Sequence, residues 1–194
     1  MSALALDLRH EAEHVFARLM VRAAGAGNDR AFASMIATRA TGGGALPAWL
    51  GLTVADFHGL MAHHFPGVSP DVLSAIDGGT PLTLARLDER EDLVALMLTH
   101  RAGESPSEIW MAHTVAAGCM ASDHLWHDLG LWSRSELTAL MGRNFPSLAA
   151  RNTSDMKWKR FLYKQLCEME GIRACRAPSC EVCVDYHVCF GSED

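Results

Sequence analysis

Residues 53–66 read TVADFHGLMAHHFP, and residues 133–146 read SRSELTALMGRNFP. Each stretch begins with a hydroxyl residue, Thr53 or Ser133, followed three positions later by an acidic residue, which is the pattern of a helix N-terminal capping box or its near equivalent. Apolar residues then recur at positions +4, +7, +8 and +12, the spacing of one face of an α-helix. A proline follows because it cannot continue a helix. Both stretches therefore predict capped amphipathic helices that end at a proline.

The likeness between the two stretches extends to their surroundings. The tripeptide LGL precedes each one, at residues 50–52 and 129–131, with Trp132 as one extra residue in the second copy. Further predicted helices lie before and after each copy. We therefore predict two pseudo-repeated three-helix halves, about residues 29–101 and 105–171. The alternative is a coincidence between two ordinary capped helices.

The remaining segments also predict helices. Ser105, Pro106 and Glu108 form another N-terminal cap, and a second helix is expected over Asp29–Arg39. An apolar stripe near the start of the chain comprises Leu4, Leu8, Ala12, Val15 and Leu19. Strand signals are weak, and the glycine-rich stretch at 41–44 predicts a flexible break. We expect an all-α fold of about six to seven amphipathic helices over residues 1–174, followed by an irregular cysteine-rich tail, residues 175–194.

Composition limits the function classes. The chain has 194 residues with 17 basic and 23 acidic side chains, a net charge of −6. This balance argues against nucleic acid as a partner, since phosphate binding needs a basic surface. No apolar run suits a membrane span, and the first residues lack the pattern of a signal peptide. We therefore expect a cytoplasmic protein with reduced cysteines.

The tail holds four of the six cysteines. Cys175, Cys180, Cys183 and Cys189 follow the spacing C-x4-C-x2-C-x5-C. Structural zinc sites usually pair two short-spaced units, whereas C-x4-C-x2-C matches the run of plant-type iron–sulfur proteins. The spacing favours an iron–sulfur cluster and leaves zinc as the alternative. His187 lies inside the last interval and could replace one thiolate, or it could be an exposed loop histidine.

Two other histidine patterns compete for a metal. HEAEH at residues 10–14 matches the metallopeptidase motif H-E-x-x-H. Both of its histidines fall opposite the apolar stripe, so we expect them to face solvent without binding zinc. Cys119, His124 and His127 repeat the intervals of the first three tail cysteines. They are either additional ligands or a buried cysteine with two surface histidines.

The segment before the tail predicts a helix over residues 155–169. Its expected apolar face comprises Trp158, Leu162, Leu166 and Met169. Lys157, Arg160 and Lys164 fall on the opposite face, which would be either an ordinary solvated face or a docking surface for an acidic partner or an oxyanion. Cys167 lies beside that face as a spare ligand or a half-buried structural cysteine.

Three segments in order resemble the NifQ family of nitrogen-fixation proteins. They are CMASDHLWHDLGL from residue 119, DMKWKRFLYKQLCE from residue 155 and the tail CRAPSCEVCVDYHVCFG from residue 175. The tail spacing is that family's hallmark, and the likeness is strong from about residue 109 to 193. The resemblance implies that Cys175, Cys180, Cys183 and Cys189 bind the cluster.

The resemblance also implies a function. Such a protein would be a molybdenum carrier and not an enzyme, with no catalytic residues. It would take molybdenum from molybdate or another source into an iron–sulfur cluster. Its partners would be the nitrogenase iron protein and the scaffold complex that assembles the iron–molybdenum cofactor. The competing hypotheses are a zinc-stabilised helical interaction module and an iron–sulfur redox protein.

Overall fold

The computed structural model describes residues 3–68 and 87–169, with the side chains of residues 3–7 left out. This part of the chain is helical and contains no strand. Its nine α-helices are α1 (Ala3–Val21), α2 (Asp29–Ala40), α3 (Val54–His64), α4 (Leu87–Thr99), α5 (Ser107–Cys119), α6 (Leu125–Asp128), α7 (Arg134–Asn144), α8 (Pro146–Ala149) and α9 (Trp158–Met169), and a 3-10 turn spans Ala48–Gly51.

The predicted all-α class is therefore confirmed for the described residues. Seven helices have 11 or more residues, in agreement with the six to seven expected. The single-turn helices α6 and α8 were not predicted, because four residues are too few to show a helical period. The cysteine-rich tail lies outside the described residues.

The two capped helices form as the sequence predicts. The Thr53 hydroxyl accepts a hydrogen bond from the Asp56 backbone N–H at 3.1 Å, and Ser133 accepts one from Glu136 at 3.2 Å. The two helices end at His64 and Asn144, directly before the Phe–Pro dipeptide of each stretch. Phe65 and Phe145, which precede the prolines, leave helical geometry with the same φ of −134° and ψ of 60° and 58°. Proline disfavours helical geometry in the preceding residue, which explains both endings.

The apolar faces of α3 and α7 supply much of the core. All eight predicted positions are buried: Phe57, Leu60, Met61, Phe65, Leu137, Leu140, Met141 and Phe145. The equivalent turns before these helices carry Gly51 and Gly130, with φ of 79° and 73°. A Cβ on Gly51 would lie 2.5 Å from that of Ala117 on α5, and one on Gly130 would lie 2.8 Å from that of Thr38 on α2. Each turn thus packs closely on a helix of the other predicted half.

Matching contacts also join the end of α1 to α3 and the end of α4 to α7. The Ala24 N–H donates to the His64 carbonyl, and the Ala102 N–H donates to the Asn144 carbonyl, each at 2.9 Å. A glycine with positive φ follows each alanine. The repeated contacts therefore begin before residue 29, at the end of α1. The repeat boundaries at 29–101 and 105–171 stay a prediction.

The terminal helices differ in part from their predictions. Ala12 and Leu19 on α1 are buried as expected, but Leu8 is 42% exposed. His10 and His14 are both exposed. Helix α9 begins at Trp158 instead of residue 155, because Asp155 has a left-handed φ of 48°. Among the helices described, none is long and apolar enough to cross a membrane.

Candidate functional site

The principal predicted ligands lie outside the described residues. They are Cys175, Cys180, Cys183, Cys189 and the secondary candidate His187. Their assignment stays a prediction from spacing and resemblance. The structure does describe α9, the helix that leads toward Cys175, and the segment of Cys119, His124 and His127.

The Cys119 segment is compact, but it does not form a metal site by itself. Cys119 is fully buried at the end of α5, and His124 is partly exposed just before α6. His127 is exposed, and its Nδ1 lies 3.1 Å from the Asp123 carboxylate. Within residues 3–68 and 87–169, no group of three or more His, Cys, Asp or Glu side chains is placed to hold a metal ion. A site shared between Cys119 or His124 and the tail stays a prediction.

A buried ion pair fixes the Cys119 segment to α9. The Lys159 Nζ donates to the Asp128 Oδ2 at 2.5 Å and to the Ala121 carbonyl at 2.8 Å. The same carboxylate oxygen accepts the Asp123 N–H at 3.0 Å. Lys159 is 8% exposed and Asp128 is 3% exposed. Because loss of either partner would leave a buried charge unpaired, this pair strongly constrains how the loop after Cys119 lies against α9.

Lys159 was not among the site residues predicted from the sequence. It lies between the apolar residues Trp158 and Phe161, and Tyr163 follows one turn later. All three are buried, so Lys159 shares the inward side of α9. A lysine at such a position indicates a buried partner, since an unpaired buried charge is costly.

The predicted basic face of α9 is not uniform. Lys157 and Arg160 are partly buried, whereas Lys164 is exposed and its Nζ lies 3.8 Å from the Glu168 carboxylate. On the apolar side, Trp158 and Leu162 are buried as expected, but Met169 is 66% exposed. Met169 therefore belongs to the predicted apolar face of the helix without being buried. Cys167 is 6% exposed, and its role as a ligand stays a prediction.

A second polar cluster lies between the two predicted halves. Asn28 donates to Ser107 at 2.9 Å and to the Asn144 side-chain oxygen at 2.6 Å, and the Asn144 amide donates back to Asn28 at 3.0 Å. All three residues are at most 3% exposed. Such reciprocal amide hydrogen bonds satisfy the buried polar groups.

His64 occupies the position in α3 that Asn144 occupies in α7. Its Nδ1 lies 2.6 Å from the Asp29 Oδ1, and its ring is fully buried. Burial lowers the pKa of His64, although the hydrogen bond and charge of Asp29 act in the opposite direction. A neutral ring donates from Nδ1 to Asp29, which leaves Nε2 buried with no hydrogen-bond partner in the described structure.

The sequence did not predict a pair between His64 and Asp29. The signal was the helical period itself. His64 follows Leu60 by one turn, which places it on the buried face. Asp29 could not be matched to it, because the two residues are 35 positions apart.

Comparison with known proteins identifies the family. A model of the NifQ family matches residues 31–191. Protein NifQ of Azotobacter vinelandii is 45% identical over 156 residues, which cover 76% of this chain and 80% of the relative. The Rhodobacter capsulatus protein of the same name is 36% identical, covering 79% and 82%. The Klebsiella pneumoniae protein is 34% identical, covering 77% and 90%. No solved structure matches.

The described fold defines an all-helical protein with a cysteine-rich segment after its last described helix. The chain belongs to the NifQ family, a family of nitrogen-fixation proteins. The resemblance stated from the three segments is thus confirmed, and the matched region includes all four tail cysteines.

Proposed function

We propose that this protein carries molybdenum, bound with an iron–sulfur cluster, for the assembly of the nitrogenase iron–molybdenum cofactor. The observation that carries the proposal is the C-x4-C-x2-C-x5-C spacing inside the region matched to the NifQ family. Cys175, Cys180, Cys183 and Cys189 would hold the cluster. Thiolates suit iron–sulfur centres, whose sulfides can in turn bind molybdenum.

The protein acts in this proposal as a carrier and not as an enzyme. Molybdate or another molybdenum source supplies the metal. The nitrogenase iron protein and the cofactor-assembly scaffold complex are the proposed partners. The Lys159–Asp128 pair supports a role for the Cys119 segment, because it holds that segment against the helix that leads to the tail. Cys119 and His124 are therefore candidates for an exchangeable ligand.

Metal analysis of the full-length protein tests the carrier proposal. We expect anaerobically isolated protein, from cells grown with molybdate, to be brown and to contain iron, sulfide and molybdenum. Electron paramagnetic resonance should show a cluster that is lost when the four tail cysteines are replaced by serine. A colourless protein with one zinc would overturn the proposal in favour of an interaction module. Iron without molybdenum would remove the carrier function.

A second set of variants tests the Cys119 segment. We expect Cys119→Ala or His124→Ala to lower the molybdenum content or to change the cluster spectrum. His127→Ala is the matched control, because His127 lies in the same segment but is exposed and paired with Asp123. Unchanged spectra and molybdenum content in both test variants would remove Cys119 and His124 from the site.

A further inference from the structure

A polar cavity of about 310 Å³ lies between the turn after α8 and the outer side of α9. Seven polar residues line it: Arg151, Asn152, Thr153, Ser154, Lys164, Gln165 and Glu168. Met156 and Phe161 form an apolar wall. The cavity therefore combines two cations, two hydroxyl groups and one carboxylate among the described residues that line it.

The turn that forms one side of this cavity is held from both ends. The Asn152 side-chain amide donates to the Met156 carbonyl at 2.9 Å, and its oxygen accepts the Met156 N–H at 2.8 Å. Arg134 donates to the carbonyl of Asp155 at 2.9 Å and to its carboxylate at 3.0 Å. The turn is therefore organised before any ligand arrives, which lowers the entropy cost of binding.

Positive charge and hydrogen-bond donors dominate the cavity. The Arg151 Nη1 lies 3.3 Å from the Gln165 side-chain oxygen, which keeps the guanidinium beside the cavity. The Arg151 charge also acts beyond the cavity, on His100. Burial is the main cause of the lowered pKa of His100, and the charge of Arg151 is the second cause. Thr153 and Ser154 are exposed, and their hydroxyls can donate hydrogen bonds.

We propose that this cavity binds a tetrahedral oxyanion. Arg151 and Lys164 supply charge-assisted hydrogen bonds, and Thr153 and Ser154 supply neutral ones. The oxyanion is molybdate if the carrier function proposed above holds, and that identification rests on the carrier proposal. Because α9 leads toward Cys175, the cavity lies on the element that precedes the proposed cluster ligands.

Equilibrium dialysis of molybdate against full-length protein isolated without bound metal tests the site. Loss of one charge-assisted hydrogen bond at a solvent-exposed position should weaken binding about fivefold, so we expect this for both Arg151→Gln and Lys164→Gln. Glu168→Gln should tighten binding about threefold, because it removes a repelling carboxylate and the ion partner of Lys164. A purely structural role would not produce these opposite changes. Sulfate should compete with molybdate, since the donors recognise the shared tetrahedral shape and charge.

Arg18→Gln is the matched control. Arg18 is also exposed, and it lines a separate cavity of about 440 Å³ together with His14 and Arg22. We expect binding in this variant to be unchanged. Circular dichroism should show equal helix content in all four variants. Weakening by Arg18→Gln alone, or no molybdate or sulfate bound by the wild-type protein, would overturn the proposal.

The outcomes also separate this site from the carrier function. Binding that depends on Arg151 and Lys164, in a protein that never acquires molybdenum in a cluster, would retain the oxyanion site and reject the carrier. A molybdenum-containing cluster in a protein whose cluster-free form binds no oxyanion would retain the carrier and reject this site.

Discussion

Helices α3 and α7 end in the same backbone arrangement but carry different buried side chains. The carbonyls of His64 and Asn144 each accept an alanine N–H at 2.9 Å. Their side chains then diverge: His64 contacts the Asp29 carboxylate, whereas Asn144 exchanges hydrogen bonds with Asn28. The same frame places an ionisable side chain at the end of α3 and a neutral amide at the end of α7.

The two halves also share a contact between a backbone N–H and an acidic side chain. In each half, a glycine N–H donates to the first acidic residue of the next long helix: Gly25 to Asp29 at 2.8 Å and Gly103 to Glu108 at 2.7 Å. The donors in these contacts are backbone groups, but the acceptors are side-chain carboxylates, so each contact requires the acidic residue that both halves retain. We propose on this basis that the two halves arose by internal duplication and that the repeat begins within α1.

Replacing His64 should have the largest effect of the changes that test this comparison. We expect His64→Ala to lower the free energy of unfolding by about 3–4 kcal/mol, because it leaves a cavity beside Phe32 and removes a partner of the buried Asp29 carboxylate. Urea denaturation monitored by circular dichroism would measure the change. His63→Ala is the control, because the neighbouring ring is exposed. Equal losses from both variants would contradict a special role for the His64–Asp29 pair.

Replacing Asn144 should have a smaller effect. Asn144→Ala should cost about 2–3 kcal/mol, because both polar atoms of the buried Asn28 amide lose a partner but less volume is removed. The same denaturation measurement applies, with the exposed neighbour Arg143→Ala as control. The comparison would fail if Asn144→Ala cost as little as that control, since the amide pair would then contribute nothing measurable.

Acid should lower the free energy of unfolding through the protonation of His64. Burial lowers the pKa of His64 below its ordinary value of 6.5, so below about pH 7 the unfolded state binds more protons than the folded state. Stability should therefore fall as pH drops through 6.5 toward the folded pKa, by at most about 1.4 kcal/mol per pH unit from this group. The measurement is the free energy of unfolding between pH 7.5 and about 5.

His64→Asn, which copies the residue of the second half, isolates this contribution. His100 and His113 also have pKa values lowered mainly by burial, but both remain in the variant. The wild-type protein should therefore show the steeper pH dependence. Parallel curves for the two proteins would show that His64 does not titrate differently on folding.

The helices were predictable because their signals are local. Caps, apolar period and proline lie within 14 residues in each copy, and all eight core positions predicted from them are buried. The polar pairs were not predictable as pairs, because their partners are far apart in sequence: 35 residues for His64 and Asp29, 116 for Asn28 and Asn144.

The candidate site divides in the same way. The cysteine spacing is local, so it could be interpreted from sequence and led to the family. The Lys159–Asp128 pair spans 31 residues. Its importance depends on the burial of both side chains, and the helical period predicted the helix without predicting that burial. Lys159 was grouped with neither face, although Trp158 precedes it and Phe161 and Tyr163 follow within about one turn.

Removing either N-terminal cap should have the smallest effect on stability. These variants test a feature that the two halves share. Thr53→Ala and Ser133→Ala should each cost about 1 kcal/mol, the usual contribution of such a cap. Thr53 should cost slightly more, because the second partner of its hydroxyl is the charged Asp56 carboxylate, whereas that of the Ser133 hydroxyl is the neutral Ser135 hydroxyl. In the second half, the Glu136 carboxylate still accepts the Trp132 N–H when Ser133 is replaced, and this contact preserves part of the cap. Thermal denaturation of both single variants and the double variant would measure this order, and a larger loss for Ser133→Ala would show that the Glu136–Trp132 contact does not support the cap.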